Sequence, residues 1–261
     1  MTPTPTSWPL GLALLSLSTA LWAAPPLNSS VQEGRFYAGV GLATAPEYLG
    51  SKRLKVGPAV DIGYDFGNGL SVGSQGLGFQ YAYPLNASLS LLAGAHIGYL
   101  PAREDKKELK GMGKVKGSVT STFNTGLQLD DYLALHAGAE LALSESKNGH
   151  SYYVRAAIPV LKKEHDQITL SGSAHYFDQK RMQTYLGVST VQSRRSGHQA
   201  YSPKAGIGQV GAELEWVHQF NGPWSLTMTG GMTQLVGDAK DSPLAKRKTA
   251  PVASVLATYT F

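Results

Sequence analysis

Strict alternation of apolar residues with small or polar ones along residues 54–66 is the strongest constraint on how this chain folds. The apolar row comprises Leu54, Val56, Pro58, Val60, Ile62, Tyr64 and Phe66. The row between them comprises Lys55, Gly57, Ala59, Asp61, Gly63 and Asp65. Successive side chains of a β-strand point to opposite faces, whereas a helix repeats about every 3.6 residues. The segment is therefore predicted to be a strand with one apolar face.

The same alternation recurs from Arg35 to the end of the chain, in segments of about ten residues or slightly more. A tilted strand of that length crosses a bilayer. Eleven segments are clear, whereas bacterial single-chain barrels have an even number of strands. The missing membrane-crossing strand is either Gln183–Ser189 or arises by a split of the glycine-rich stretch Leu70–Tyr83. Within that stretch the apolar residues shift from even to odd positions. We predict an all-β, transmembrane antiparallel β-barrel of about twelve strands, with ten as the alternative, and assign no loop to either side of the membrane.

A soluble β-sandwich shows the same alternation, so other features have to distinguish it from a membrane barrel. Aromatic residues lie near the strand ends on the apolar face, as in the girdles of membrane barrels. They are Tyr64, Phe66, Tyr99, Tyr176, Trp216, Phe220 and Trp224. The opposite face carries mostly Gly, Ser and Thr with a few charges, as a polar lumen does. These features favour the membrane barrel.

The last strand supports closure of the barrel. One of its faces carries Ala253, Val255, Ala257, Tyr259 and Phe261. In a closed barrel the last strand pairs with the first, which leaves no unpaired edge in lipid. The terminal Tyr259 and Phe261 resemble the signal that the barrel-assembly machinery of the outer membrane recognises, so we expect them to act as a membrane-assembly signal.

The beginning of the chain is typical of an exported protein. Residues 1–24 contain an apolar run and then small residues, which predicts a cleaved signal peptide. Residues 25–34 are then a short periplasmic segment, and residues 35–261 form the barrel. The chain has no cysteine, which excludes thiol nucleophiles, thiolate metal sites and disulfides. The net charge of +5 comes from cations scattered between the predicted strands, which favours solvated loops over nucleic-acid binding, with contact to an anionic lipid surface as a second use.

Several titratable residues fall on the predicted inner face. They are His96, His136, His175, Asp61, Asp65, Glu140, Arg155, Glu213 and Glu215. Small barrels fill their interiors with charged side chains that satisfy one another, and we favour that reading over a pore lining and over catalysis. Ser171, Ser173 and His175 are spaced along one face at about 7 Å per step, too far apart for a direct nucleophile–base pair. We predict no catalytic residue, no cofactor and no metal.

Residues 237–243 form a second distinctive segment before the last strand. It carries two carboxylates, Asp238 and Asp241, whereas a calcium site needs about six oxygen ligands or more. A turn stabilised by the aspartate side chains is the simpler reading. If the segment has a function, we expect a docking loop or a loop that plugs the barrel.

Several phrases of the sequence resemble the MipA/OmpV family of Gram-negative outer-membrane proteins, which is named for interaction with the lytic transglycosylase MltA. The resemblance is carried by Pro46, Tyr48 and Gly50, by Tyr185-Leu186-Gly187-Val188-Ser189 with Gln192, Ser196, Gly197 and Tyr201, by Gly237-Asp238-Ala239-Lys240-Asp241-Ser242-Pro243, and by Tyr259 and Phe261. These phrases extend over nearly the whole predicted barrel.

The resemblance implies a non-enzymatic scaffold that holds a lytic transglycosylase and a peptidoglycan synthase at the outer membrane of the cell envelope. Other members of the family are described as surface adhesins, and the polar inner face also permits a narrow channel for small solutes. The resemblance further implies a candidate interaction motif in the loops, which comprises Tyr185, Gly187, Val188, Gly237, Asp238, Asp241, Ser242 and Pro243.

Overall fold

A computed structural model describes residues 34–74, 76–105 and 107–261. Twelve strands in this part of the chain form a closed barrel, and each is antiparallel to its neighbours. The strands are β1 Arg35–Pro46, β2 Leu54–Asp65, β3 Leu70–Gly73, β4 Gly76–Pro84, β5 Leu89–Leu100, β6 Ser118–Leu129, β7 Leu133–Ala142, β8 Ser151–Lys162, β9 Asp166–Phe177, β10 Gly206–Gln219, β11 Trp224–Leu235 and β12 Thr249–Thr260. Two helices, α1 Gln179–Leu186 and α2 Thr190–Ser196, lie between β9 and β10.

The barrel closes through β1, which pairs with β2 on one side and with β12 on the other. Val40, for example, lies opposite Val60 of β2 and Ala257 of β12. These three apolar side chains share the outer face, as the alternation requires. The predicted antiparallel barrel of twelve strands is confirmed, and the alternative of ten strands is wrong.

The structure also decides where the twelfth strand lies. The stretch Leu70–Tyr83 is divided into β3 and β4 by a tight turn, after which Gly76 has a φ of +123° that favours glycine. The prediction of a possible strand at Gln183–Ser189 is wrong, because most of this segment belongs to α1. Asp178 caps α1 by accepting a hydrogen bond from the Arg181 backbone N–H at 2.7 Å, and this cap favours helix over strand.

The two ends of the barrel differ in the length of their connections. We call one the long-loop end; its connections are residues 47–53, 101–117, 143–150, 178–205 and 236–248. We call the other the short-turn end; its connections are residues 66–69, 85–88, 130–132, 163–165 and 220–223. The first and last residues of the barrel also lie at the short-turn end, where the Phe261 N–H donates to the Phe36 carbonyl at 2.8 Å.

The outer surface of the barrel exposes many large apolar side chains, whereas the inner surface is mostly small or polar. Val40 is 64% exposed and Val56 is 68% exposed, values that only a lipid environment tolerates over so wide a surface. No helix in the described part of the chain has the length and apolar character needed to span a membrane. The predicted signal peptide, residues 1–24, and nearly all of the segment 25–34 lie outside the described residues.

Candidate functional site

Four of the five connections at the long-loop end contribute apolar residues to one body, which we call the cap: residues 47–53, 101–117, 178–205 and 236–248. The fifth connection, residues 143–150, lies against helix α1. Helix α1 lies at its centre, and two of its residues spaced one helical turn apart, Met182 and Leu186, have no exposed surface. Helix α2 begins with a reciprocal pair of hydrogen bonds between Ser189 and Gln192. Side chains buried among loops give this end a core of its own.

The cap contains two apolar clusters. The first joins α1 to the barrel rim and comprises Phe177, Met182, Leu186, Leu235 and Ala239. The second joins the other loops to one another and comprises Leu109, Met112, Val188 and Leu244, with Tyr48 and Tyr201 packed against it. These clusters contain residues from all four loops of the cap. They hold the loops together across the long-loop end of the barrel.

Hydrogen bonds fix the segment 237–243 within the cap. The Ser242 hydroxyl donates to the Leu186 carbonyl at 2.6 Å and accepts from the Leu244 N–H at 3.1 Å. The Asp238 carboxylate accepts from the Lys204 N–H at 2.9 Å. The Tyr201 hydroxyl donates to the Asp238 carbonyl at 2.7 Å. The segment is therefore packed against α1 and against the chain that follows α2.

The candidate interaction residues meet in this cap. Gly187, Val188 and Ser242 are buried, and Tyr185, Asp238 and Pro243 are partly buried. Gly237 and Asp241 are exposed, and Lys248 lies 4.0 Å from the Asp241 carboxylate. Val188 also forms a two-way backbone bridge with Tyr201 at 2.8 Å in each direction. The motifs around Tyr48, Tyr185 and Asp238 that carry the family resemblance are thus distant in sequence and adjacent in space, whereas Tyr259 and Phe261 lie at the short-turn end.

Two arginines that the sequence did not single out hold helix α1 in place, one against the barrel and one against another loop of the cap. Arg181 of α1 reaches Glu140 on the inner face of β7 at 2.6 Å, and its guanidinium lies over the rings of Phe177 and Tyr185 at 5.5 and 5.7 Å. Arg103 donates to the Tyr185 carbonyl at 3.1 Å and lies 5.9 Å from the centre of the same ring. Sequence periodicity does not reveal such loop residues, because their partners are distant along the chain.

Burial changes the protonation behaviour of these cap residues. It lowers the pKa of the Arg103 guanidinium, partly offset by Tyr185, Asp105 and Tyr48. It raises the pKa of the Tyr185 hydroxyl. Burial, together with the hydrogen bond to Glu108, also raises the pKa of Tyr48. The Tyr48 hydroxyl therefore keeps its proton and donates to the Glu108 carboxylate at 2.9 Å.

The inner face of the barrel carries a polar network. The Arg155 guanidinium donates to the Ser171 hydroxyl at 3.0 Å, and the rings of Tyr153 and His175 are 5.8 Å apart. Ser171 is thus held by a cation that cannot act as a general base. Within the described residues, no group of three His, Asp or Glu side chains is arranged to hold a metal ion. This arrangement supports the network reading of the inward charges.

The short-turn end presents a polar surface. The Asp166 carboxylate accepts hydrogen bonds from the Trp216 indole and the His218 ring, both at 2.8 Å. A shallow hollow of about 230 Å³ lies beside them. It is lined by Lys162, Lys163, Glu164, His165, Asp166, Gln167, Val217 and Gln219. Lys162 also pairs with Asp131 at 2.6 Å, next to the highly exposed Tyr132.

The predicted assembly signal lies at the same end, in a cluster of aromatic rings on the outer face. The ring of Tyr259 is 5.0 Å from that of Trp224 and 4.6 Å from that of Phe261. The ring of Phe261 is 5.1 Å from that of Phe36. The cluster therefore joins the first strand to the last two strands where the barrel closes.

The sequence profile of the family described as MltA-interacting protein MipA matches residues 38–261. The chain belongs to this family. The match includes the whole cap and all but the first residues of the barrel, so the resemblance in the sequence is confirmed. A search of curated proteins found no match. Family membership and the apolar outer surface together identify an outer-membrane β-barrel protein.

Solved structures with similar coordinates include an outer-membrane porin and an outer-membrane channel. The KdgM porin is 11% identical with a TM-score of 0.42, and the match covers 86% of this chain and 99% of that one. An outer-membrane channel of Pseudomonas putida F1 is 12% identical with a TM-score of 0.44, covering 89% and 97%. OprB of Pseudomonas putida is 8% identical with a TM-score of 0.43, covering 88% and 94%. Because these TM-scores are all below 0.5, the fold is established by the strand pairing within this chain and not by these similarities.

Proposed function

We propose that this protein is a non-enzymatic scaffold, which holds a lytic transglycosylase of the MltA type, and with it a peptidoglycan synthase, at the outer membrane. The family description supports the partner, because it names interaction with MltA. The observation that carries the proposal is the cap. Its two apolar clusters cover one end of the barrel, which suits a protein that presents a surface better than one that conducts solutes along its axis.

The docking surface is the short-turn end. Bacterial outer-membrane barrels place their short turns in the periplasm and their long loops outside the cell. Peptidoglycan enzymes act in the periplasm, so they meet residues 130–132 and 163–165 rather than the cap. In this proposal the candidate motif, Tyr185 to Val188 and Gly237 to Pro243, builds the cap and does not contact the enzyme.

The chemistry of the short-turn end suits such a contact. Tyr132 is 73% exposed at the tip of a turn, and tyrosine is enriched at protein interfaces because it combines a large apolar ring with a polar group. The hollow beside it carries both signs of charge, including Lys163 and Glu164. A partner surface with mixed charges and one aromatic pocket would complement it.

Site-specific crosslinking tests this assignment in the full-length protein. A photoreactive amino acid is placed at Tyr132, and in a matched variant at Lys240, which is exposed in the cap. Each variant is irradiated in cells that also contain an MltA-type transglycosylase, and the products are identified by mass. We expect the enzyme to be captured from position 132 and not from position 240. Capture from position 240 alone, or from neither position, would overturn the proposal.

A narrow channel is the second candidate, because the inner face is polar and carries the Arg155 network. The cap then has to open, so the intact protein is expected to conduct only in brief events. Planar bilayer recordings distinguish the two functions. Sustained conductance steps from the intact protein favour the channel, whereas steps that appear only after deletion of residues 238–243 agree with a closed scaffold.

A further inference from the structure

The barrel wall is incomplete between β2 and β5 in the half that carries the long loops. β3 pairs with β2 only along Gly63–Asp65, and β4 pairs with β5 no further than Ile97. In the described part of the chain, no strand fills the space between Leu54–Asp61 of β2 and Gly98–Leu100 of β5. We call this gap in the wall the window.

The lower edge of the window is formed by hydrogen bonds between Ser74 and β2. The Ser74 N–H donates to the Ile62 carbonyl at 2.7 Å, and the Ser74 hydroxyl accepts from the Ile62 N–H at 3.2 Å. The same hydroxyl donates to the Asp61 carboxylate at 3.0 Å. Ser74, which follows β3, is therefore fixed to β2, and the window has a defined lower limit.

The upper edge is formed by contacts between two loops of the cap, one from each side of the gap. Lys107 pairs with Glu47 at 2.6 Å. Glu108 accepts from the Tyr48 hydroxyl at 2.9 Å and lies 3.5 Å from Arg53. These contacts join the loop before β2 to the loop after β5. The window is thus bounded on all four sides, which distinguishes it from a frayed strand end.

The open edge of β2 carries a proline at its middle. Backbone groups of alternate residues point to the same side of a strand. The Ile62 groups bond Ser74 on the side of the gap, so Val56, Pro58 and Val60 direct theirs to that side, into the window. Pro58 has no N–H to leave unpaired, and proline within sheets is confined to edge strands. It also interrupts any ladder that an added strand would form. The edge is therefore suited to a small molecule and poorly suited to a docked strand.

The two sides of the window differ in chemistry. On the outside, Val56, Val40 and Leu42 present an apolar surface at the height of the gap. On the inside, β2 presents Lys55 and Asp61, and between them a side chain built on Gly57 would meet nothing within 4 Å. A molecule that crosses the window thus passes from hydrocarbon to a roomy, polar lumen.

We propose that the window is a lateral portal that admits a single-chain amphiphile from the membrane leaflet on the long-loop side. Its acyl chain enters beside Gly57 and Ala59, and its polar head lies against the charged inner face of β2. The loops of the cap pack together across the axial route at this end, and the gap in the wall offers a lateral route beside them. This inference does not depend on the scaffold role.

Membrane access to the lumen is the first test, and the absence of native cysteine makes single-cysteine labelling specific. A fluorophore is attached to Ala59→Cys, and the protein is placed in vesicles whose phospholipids carry a nitroxide on the acyl chain. The matched control is Thr227→Cys, which faces the lumen from β11, a strand that is paired on both sides and distant from the window. Val40→Cys reports direct contact with lipid.

We expect Ala59→Cys to be quenched about twice as strongly as Thr227→Cys or more, because inward residues of a barrel strand otherwise do not meet lipid. Equal quenching of the two inward positions would overturn the proposal.

Binding of a nitroxide-labelled stearate to the purified protein is the second test. Gly57→Phe fills the space behind the window. The control for added bulk is Gly230→Phe, at a strand glycine that has open space around it and faces lipid from β11. We expect Gly57→Phe to weaken binding about tenfold, the loss that exclusion of about two buried methylene groups produces, and Gly230→Phe to leave it unchanged.

If Gly57→Phe does not assemble, Ala59→Leu replaces it with the same expected direction. Failure of the unsubstituted protein to bind the stearate, or equal binding by both phenylalanine variants, would refute the portal even if the crosslinking test of the scaffold succeeds.

Discussion

Removal of the Arg181 side chain is expected to loosen the cap without disrupting the barrel. Arg181 and Glu140 meet at 2.6 Å with 16% and 27% of their side chains exposed, so solvent screens this pair less than a surface pair. A hydrogen bond between charged groups contributes about 2 kcal/mol, and the contacts with two aromatic rings add about 1 kcal/mol. Arg181→Met should therefore lower the free energy of cap opening by about 3 kcal/mol.

Hydrogen exchange measured by mass spectrometry reports this quantity directly for the peptides of residues 178–205 and 236–248. A change of about 3 kcal/mol corresponds to opening that is roughly 100-fold more frequent. The barrel strands should exchange as before, since they are held by their own ladders. Lys180→Met is the matched control, because Lys180 lies on the exposed side of the same helix.

A double-mutant cycle tests whether the ion pair is the cause. Glu140→Gln combined with Arg181→Met should cost clearly less than the sum of the two single changes, with a coupling of about 1 kcal/mol or more. Additive effects, or cap exchange in Arg181→Met that matches Lys180→Met, would refute the role assigned to the pair.

Three further substitutions test the cap and the barrel closure. Gly149→Ala should destabilise helix α1, because the new Cβ would clash with the backbone nitrogen of Arg181 in that helix. Gly113 also has a positive φ but lies in open space, so Gly113→Ala should destabilise the cap by only about 1 kcal/mol. Proteolysis of the cap measures both effects. Ser242→Ala removes two buried hydrogen bonds and should raise exchange in α1 by an amount equivalent to about 2 kcal/mol. Phe261→Ala should lower the assembled, heat-modifiable fraction in the membrane, whereas Thr260→Ala should not.

The barrel could be predicted from the sequence because its wall obeys a local rule. Alternation fixes which residues face lipid, and the pairing of Val40 with Ala257 follows once the strands close into a ring. The change of parity within Leu70–Tyr83 correctly marked a turn, although the sequence left open whether Gln183–Ser189 was the missing strand instead.

The cap could not be derived in the same way. Its contacts join residues far apart in the chain, such as Ser242 with Leu186 and Arg103 with Tyr185. No periodicity marks such residues, and the family phrases located them without showing how they meet. For helix α1, the local sign of a helix was Asp178, a residue type that commonly caps the first turn.

The sequence of β2 also contains a sign of the window, at Pro58. The alternation of apolar and polar residues does not reveal this sign. Pro58 fits the apolar row as well as a valine would, so the pattern reads as unbroken. Pro58 has no N–H, however. If a full-length strand lay beside it, the barrel would lose one hydrogen bond between the two strands. A short β3, indicated by the early parity change after Val72, removes the neighbour and with it the cost. The two signals together predict an open edge at β2, and the structure places it where β3 ends.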